Sequence, residues 1–158
     1  GTAYHRVMEC LNYSKAGSTE DIKNEIDRMV REEKLSLKQA ECIKLKDIDT
    51  FAGSSIGERI KRAYAYGGVK REQPFVFEYD RQLVQGVIDL YFIEDGQLVI
   101  VDYKTDRVLR GRAGEDELRR RYSIQLDYYA MALSQITGLK VKEKVIYSFA
   151  LGRSLTVE

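Results

Sequence analysis

The chain has 158 residues, of which 26 are Lys or Arg and 25 are Asp or Glu, so its formal net charge is +1. With 44% hydrophobic residues this is the composition of a globular domain, and it excludes a disordered tail, a collagen-like chain and a disulfide-dense mini-protein. The length predicts a single domain over residues 1–158 without a membrane span, because the densest apolar run, residues 98–101, is only strand-sized.

Residues 1–69 are predicted to be helical, because their apolar residues recur three and four positions apart. Thr2 is the predicted cap of a first helix that runs through Tyr13, and the pair Ser18-Thr19 opens a second. The last helix of the segment ends at Gly67-Gly68. Since the chain shows no signal-peptide pattern, we expect a cytoplasmic protein with reduced cysteines.

From Lys70 onwards the pattern changes to short β-rich runs. In chain order we predict strands over residues 75–79, 83–93 and 98–103, a polar stretch over residues 107–121, a helix over residues 123–137 and a closing strand over residues 143–150. This order of elements predicts an α/β fold.

The dipeptide Asp95-Gly96 between two apolar runs predicts a hairpin with a two-residue turn. In that register Asp89 lies directly opposite Asp102, which brings two carboxylates together. Both faces of the hairpin are apolar near the turn, so we expect it to lie in a covered sheet. Two carboxylates at such a place need positive charge nearby.

Residue alternation along the hairpin predicts which side chains share a face. Val87 and Tyr91 are placed on the face that carries both carboxylates and Lys104, and Ile88 on the opposite face. Two interpretations of the charged cluster follow. Lys104 forms a structural ion pair with one carboxylate, or a divalent cation binds both. The spacing Asp-x-Lys alone favours the ion pair, whereas the facing Asp89 favours a metal, because one lysine cannot neutralise two carboxylates.

Five segments of the chain resemble motifs of one enzyme family. They are residues 1–9 with a histidine, residues 71–75 with a glutamate, residues 86–89, residues 101–106 and residues 125–133. In this order they resemble the RecB-type branch of the PD-(D/E)XK nuclease superfamily. The resemblance implies a restriction-endonuclease-like α/β core, with a mixed central β-sheet flanked by helices and a helical N-terminal segment. The cysteines that hold an iron–sulfur cluster in some relatives have no counterpart here, so no cluster is expected.

The resemblance also implies a metal site. Its ligands would be His5, Asp89, Asp102 and the backbone carbonyl of Tyr103, with Mg²⁺ as the cofactor and Mn²⁺ able to replace it. Without the motif, a lone histidine such as His5 is more often structural.

Three further catalytic assignments follow from the resemblance. Lys104 would orient or help deprotonate the attacking water and offset charge on the phosphate. Glu72 would be a further ligand through water, or it only completes a helix-to-strand turn at the surface. Gln125 and Tyr129, one helical turn apart, would contact DNA, whereas the alternative is an ordinary solvated helix face.

The arginines between the third strand and the last helix are candidate DNA contacts. Arg107 and Arg110 could hold a phosphate backbone at the entrance of the site. Such charge runs are usually solvated surfaces, and the acidic residues 115–117 weaken the DNA interpretation.

The resemblance implies a metal-dependent deoxyribonuclease of bacterial, nucleoid-associated DNA repair and recombination. We expect an exonuclease that degrades single-stranded DNA ends produced by an attached ATP-dependent helicase, with no membrane and with a second protein as partner. No helicase motif is present, so the chain is expected to be one domain of a larger helicase-nuclease. Two alternatives stay open: a stand-alone or phage-type exonuclease, and a catalytically silent DNA-binding or scaffold module.

Overall fold

Helices alone build the N-terminal unit of the computed structural model, which describes residues 1–158. This unit is Gly1–Gly67, and the remaining residues, Gly68–Glu158, form a second compact unit. The helices of the first unit are α1 Thr2–Cys10, α2 Thr19–Arg31, α3 Leu37–Glu41, α4 Leu45–Gly53 and α5 Ser55–Ala65, with a short 3₁₀ turn at Tyr13–Lys15. The predicted helical segment is confirmed, and that both units act as one domain stays a prediction.

The first helix differs from its predicted bounds. Gly1, not Thr2, is the N-cap, because the backbone N–H of His5 donates to the Gly1 carbonyl at 3.1 Å and closes the first turn there. The helix ends at Cys10, and Tyr13 instead begins the 3₁₀ turn. The spacing of apolar residues predicted a longer helix, because this spacing does not show that the backbone becomes extended at Leu11.

The predicted start of α2 is confirmed. The Ser18 side chain accepts a hydrogen bond from the backbone N–H of Asp21 at 3.1 Å, as an N-cap residue does. Further along α2, Glu25 is 3% exposed, accepts from the Asn12 backbone at 2.8 Å and pairs with Arg28 at 2.9 Å. A buried carboxylate with both partners supplied fixes α2 against the segment before it.

The C-terminal unit is a mixed five-stranded sheet with one long helix. Its elements are β1 Val69–Tyr79, β2 Gln82–Glu94, β3 Gln97–Lys104, α6 Arg112–Thr137, β4 Val141–Ser148 and β5 Arg153–Val157. Strand order follows chain order; β3 and β4, joined through α6, are parallel and the other neighbours are antiparallel. The predicted mixed α/β architecture is confirmed, whereas β5 was not predicted.

The last helix begins at Arg112 rather than at the predicted Ser123. Its first turns carry one fully buried apolar residue, Leu118, among charged residues that pair with each other along the helix, such as Arg121 with Glu117. A helix held largely by such pairs lacks the apolar periodicity on which the prediction rested. No helix of the structure has the length and apolarity that crossing a membrane requires.

The hairpin turn and its register are confirmed. Asp95 and Gly96 have φ of 53° and 74°, the left-handed values that a two-residue turn of this type demands. From there β2 and β3 pair as predicted up to Leu90 and Val101. Residues of both faces are fully buried, as expected for a covered sheet.

The predicted shared face is confirmed for Tyr91, Leu98 and Ile100, but the prediction is wrong for Val87 and Ile88, which lie beyond an interruption of the β1–β2 ladder. Glu72 has a φ of 50°, and Glu72 and Asp89 are skipped in an otherwise continuous pairing. A left-handed residue breaks the alternation of the pleat. As a result Ile88 and Tyr91 lie in one apolar core, while Val87 is 45% exposed.

That core is formed between the sheet and α6. It contains Phe75, Phe77, Ile88, Tyr91, Leu98, Ile100, Leu118, Leu126, Tyr129, Ala132, Leu133, Ile146, Leu155 and Val157. The helix thereby lies across the sheet and is fixed close to the ends of β2 and β3.

Gly114 provides a stability test of the α6 start. A Cβ at this position would lie 1.7 Å from the carbonyl oxygen of Leu109, whereas a Cβ at Gly53 of α4 would meet nothing within 4 Å. We expect Gly114→Ala to lower the free energy of unfolding by about 1–3 kcal/mol, measured by urea denaturation. The control Gly53→Ala should be neutral or stabilising by up to ~1 kcal/mol. Equal effects of the two substitutions would contradict this packing.

Candidate active site

Two carboxylates lie where β2 and β3 separate. The ladder ends at Leu90 and Val101, so Asp89 and Asp102 do not form the regular facing pair that was predicted. Instead, Asp89 Oδ2 accepts a hydrogen bond from the backbone N–H of Tyr103 at 2.8 Å. The backbone of β3 therefore holds the Asp89 carboxylate next to the strand that carries Asp102.

Asp102 is a nearly buried carboxylate with too little positive charge around it. It is 2% exposed, and its Oδ2 forms an ion pair with the Lys104 ammonium at 2.9 Å. Burial and then the negative charge of Asp89 raise the pKa of Asp102 to about 7, against the opposing effect of Lys104. The ion-pair interpretation is thus correct for Lys104 and Asp102, but the ion pair does not offset the cost of ionising Asp102.

Lys104 is held on three sides. Its Nζ pairs with Asp102, donates to Gln125 Oε1 at 3.2 Å and lies 4.0 Å from the ring centroid of Tyr122. The last contact has cation–π geometry. Its side chain is 16% exposed, so the ammonium is confined at the mouth of the site.

Tyr122 and Asp106 complete this arrangement and were missed by the sequence analysis. The Tyr122 hydroxyl donates to Asp106 Oδ2 at 2.6 Å, and Arg121 donates to the same oxygen at 3.0 Å. Burial acts to raise the pKa of Asp106, but these two hydrogen bonds lower it. The sequence does contain an indication of Tyr122, because this residue precedes Gln125 by three positions and therefore shares its helix face.

Gln125 and Tyr129 lie on the side of α6 that faces the site. Tyr129 is 6% exposed, and its ring packs edge-on against Phe75 with 5.4 Å between centroids. The alternative of a solvated helix face is therefore wrong for Tyr129. A DNA contact through its hydroxyl stays a prediction, as does the DNA contact of Gln125.

The pKa of the Tyr129 hydroxyl depends on the carboxylates around it. Burial first, and then the charges of Asp102, Asp89 and Glu72, raise its pKa. Glu72 therefore belongs to the same end of the sheet as the two aspartates. The left-handed φ of Glu72 marks strain at this position, as is common at functional sites. Its role as a ligand stays a prediction.

His5 lies in the N-terminal unit, in the first turn of α1. Its Nδ1 lies 2.9 Å from the Gly1 carbonyl, which can only accept, so Nδ1 carries a proton, and in the neutral ring this fixes the Nδ1–H tautomer. That tautomer has its lone pair on Nε2, the nitrogen that could bind a metal. The assignment of His5 as a ligand stays a prediction.

The donors of the C-terminal unit fit a hard divalent cation. The Asp102 carboxylate is buried, Asp89 is adjacent, and both are oxygen donors of the kind that Mg²⁺ prefers. The chain contains no group of three or more His, Cys, Asp or Glu side chains placed to hold a metal ion. A cation here would therefore need further ligands, such as the carbonyl of Tyr103, water or substrate.

The predicted polar stretch, residues 107–121, is a loop only up to Gly111, because α6 begins at Arg112. Arg107 and Arg110 are exposed in the segment between β3 and α6, and no ion pair holds them. Arg112, Arg119 and Arg121 lie in α6 and pair with acidic side chains. The first two arginines thus remain the better candidates for phosphate contacts.

Known proteins resemble this chain over nearly its whole length. Residues 1–155 match the family model of the PD-(D/E)XK nuclease superfamily. The chain is 36% identical to an ATP-dependent helicase/nuclease subunit from Clostridium novyi over 94% of its length, and 40% identical to one from Thermoanaerobacter sp. over 98%. It spans about 13% of the length of these curated relatives.

A solved structure is also similar. It is that of a candidate exonuclease from Eubacterium rectale, with a TM-score of 0.45 and 16% identity over 89% of this chain and 56% of that one. The family match extends from the histidine segment of α1 to β5 and includes the strand ends that carry the two aspartates and Lys104. The chain therefore belongs to the PD-(D/E)XK nuclease superfamily.

Proposed function

We propose that this chain is a metal-dependent deoxyribonuclease domain that hydrolyses phosphodiester bonds at single-stranded DNA ends. One observation carries the proposal: the Asp102 carboxylate is buried beside a second carboxylate, and although Lys104 pairs with it at 2.9 Å its pKa is raised to about 7. Such a site is electrostatically unfavourable unless a cation joins it. Mg²⁺ is the proposed cation, Mn²⁺ its substitute, and no iron–sulfur cluster is involved.

Each side chain of the site has a proposed role. When bound, the cation lowers the pKa of the attacking water and supplies positive charge for the phosphate. Asp89 and Asp102 would hold it, with the Tyr103 carbonyl as a further ligand and Glu72 acting through water. His5 is proposed as a ligand from the family resemblance alone. Lys104 orients the attacking water and offsets the charge that grows on the phosphate.

The remaining residues position the substrate and the lysine. Gln125 accepts a hydrogen bond from Lys104 and thereby sets the direction of its other N–H bonds. The pKa of the Tyr129 hydroxyl is raised by burial and by the charges of the nearby carboxylates. This hydroxyl is proposed to contact the DNA strand. Arg107 and Arg110 bind phosphates next to the site, independently of base sequence.

The relatives suggest where the DNA comes from. They are described as subunits of an ATP-dependent helicase/nuclease, and most of their length lies outside the region that this chain matches. We propose that an attached helicase of this kind, known as AddA, delivers single strands to the domain, together with an AddB-type partner. The process is double-strand-break repair and recombination on bacterial DNA in the cytoplasm, at the nucleoid.

Cleavage of end-labelled single-stranded DNA tests the proposed activity. We expect cutting in Mg²⁺ or Mn²⁺, none in EDTA, and a loss of about 100-fold or more in Lys104→Ala and Asp102→Ala. The control is Lys142→Ala, because Lys142 pairs with Glu94 near the hairpin turn. A chain that neither cuts DNA nor binds Mg²⁺ in calorimetry would instead be a silent DNA-binding or scaffold module. Cutting that survives in both variants would refute the assigned residues.

Stability should depend on pH through Asp102. Its pKa is about 7 in the folded chain and 3.8 in an ordinary environment, so the folded state binds the extra proton between these values. In EDTA this lowers the free energy of unfolding as pH rises from about 4 to about 7. Asp102→Asn removes that loss, so the variant should be more stable than the wild type at pH 8 but not at pH 4, in urea titrations.

The matched control for this measurement is Asp95→Asn at the hairpin turn. The Asp95 side chain is 88% exposed. Its substitution should leave the pH dependence unchanged. Addition of Mg²⁺ at pH 8 should stabilise the wild type and not Asp102→Asn. Parallel stability curves for wild type and Asp102→Asn in EDTA would mean that the carboxylate is not electrostatically unfavourable.

Tyr122 should act through its ring on Lys104. Removal of the ring in Tyr122→Leu should slow cleavage by roughly 2- to 30-fold, the range of a cation–π contact. Tyr122→Phe keeps the ring and should lose less. Tyr66, which is 90% exposed, gives the control Tyr66→Leu. Rates and melting temperatures are measured together; equal rates in the Phe and Leu variants would argue against the contact.

A further inference from the structure

A cleft lies beside the candidate active site, between α6 and the β1–β2 hairpin. It encloses about 380 Å³. Its apolar lining comes from Phe75, Val84, Ile124 and Tyr128, and its polar lining from Gln85, Arg121 and Gln125. The mechanism described above uses none of the apolar residues.

Two features keep the cleft open and its walls fixed. Gly86 lies in the lining, and a Cβ there would come within 3.0 Å of the Phe75 ring, so a side chain at this position would require the ring to shift. The Tyr128 ring is held by Phe77 at 6.2 Å and by Tyr79 at 5.7 Å between centroids. The cleft is therefore a preformed slot with an aromatic wall rather than a loose surface depression.

The cleft is continuous with the catalytic groups. Gln125 lines it and also accepts the hydrogen bond from Lys104. Tyr129 also lines the cleft, and the charges of the carboxylates in the site raise its pKa. A DNA strand with a phosphate at Lys104 would thus bring an adjacent nucleotide to the mouth of the cleft.

On these grounds we propose that the cleft binds one unpaired nucleobase of the substrate strand, next to the scissile phosphate; this rests on the proposed nuclease function. The lining matches that ligand, since a base has apolar flat faces and a polar edge. Tyr128 and Ile124 contact the faces, and the amides of Gln85 and Gln125 contact the edge. Amide groups can donate and accept, so the subsite tolerates any base.

The proposal gives the domain a reason to prefer single strands. A base in a duplex is stacked and paired, and its removal from the helix costs a few kcal/mol. An unpaired base enters the cleft without that cost. Selection for single-stranded ends is then a property of the domain itself, in addition to delivery by a helicase.

Binding to two oligonucleotides tests the subsite separately from cleavage. The ligands are fluorescein-labelled oligothymidylate and an abasic oligonucleotide of the same length, measured by anisotropy on an Asp102→Asn background that does not cut. We expect tighter binding of oligothymidylate. Ile124→Ala and Tyr128→Ala should each weaken that binding about five-fold or more, and leave binding of the abasic strand unchanged.

Ile136→Ala is the matched control, because Ile136 is 56% exposed on the same helix and Ile124 is 65% exposed. It should bind both ligands as the parent does. Equal affinity for the two ligands, or an Ile124→Ala variant that binds oligothymidylate normally, would overturn the proposal and assign the apolar cleft to a protein partner. Failure of the nuclease function is a different result: the wild-type chain would not cut DNA in Mg²⁺, whatever its base preference.

Discussion

Asp102 is buried next to the negative charge of Asp89, and Lys104 only partly offsets the cost of its ionisation. Tyr103 donates its backbone N–H to one carboxylate, and Lys104 pairs with the other. The raised pKa of Asp102 shows that these contacts do not fully offset its burial beside Asp89. A divalent cation would supply the missing positive charge and would also attract the negative phosphate ester, which is the physical basis of the proposed hydrolysis.

The helix α6 takes part in both the apolar core and the charged site. The inner side of α6 packs Leu126 and Tyr129 into the apolar core, and the same turns place Tyr122 and Gln125 around Lys104. Because the helix is fixed by its core contacts, the lysine is confined without help from a flexible loop. The outer edge of that helix forms one wall of the cleft, so core, catalytic lysine and proposed base subsite depend on one rigid element.

The irregular pairing of Glu72 and Asp89 has a comparable role. A regular ladder would continue the pleat and place Ile88 on the face opposite Tyr91. Ile88 and Tyr91 nevertheless both lie in the core, so the alternation of β2 changes between them, opposite the left-handed Glu72 of β1. The interruption coincides with the point where Asp89 accepts a hydrogen bond from the backbone of β3.

The sequence by itself determined the helical first part, the hairpin turn at Asp95-Gly96 with its register, and the motifs that identify the family. These features are local: a turn needs left-handed residues, and a strand pair fixes its register from the turn. Only the tertiary structure decided that Tyr129 is buried, that Tyr122 faces Lys104 and that Asp102 is undercompensated. Such properties depend on contacts between β3 and α6, which lie apart in the chain, and no local pattern encodes how two elements pack.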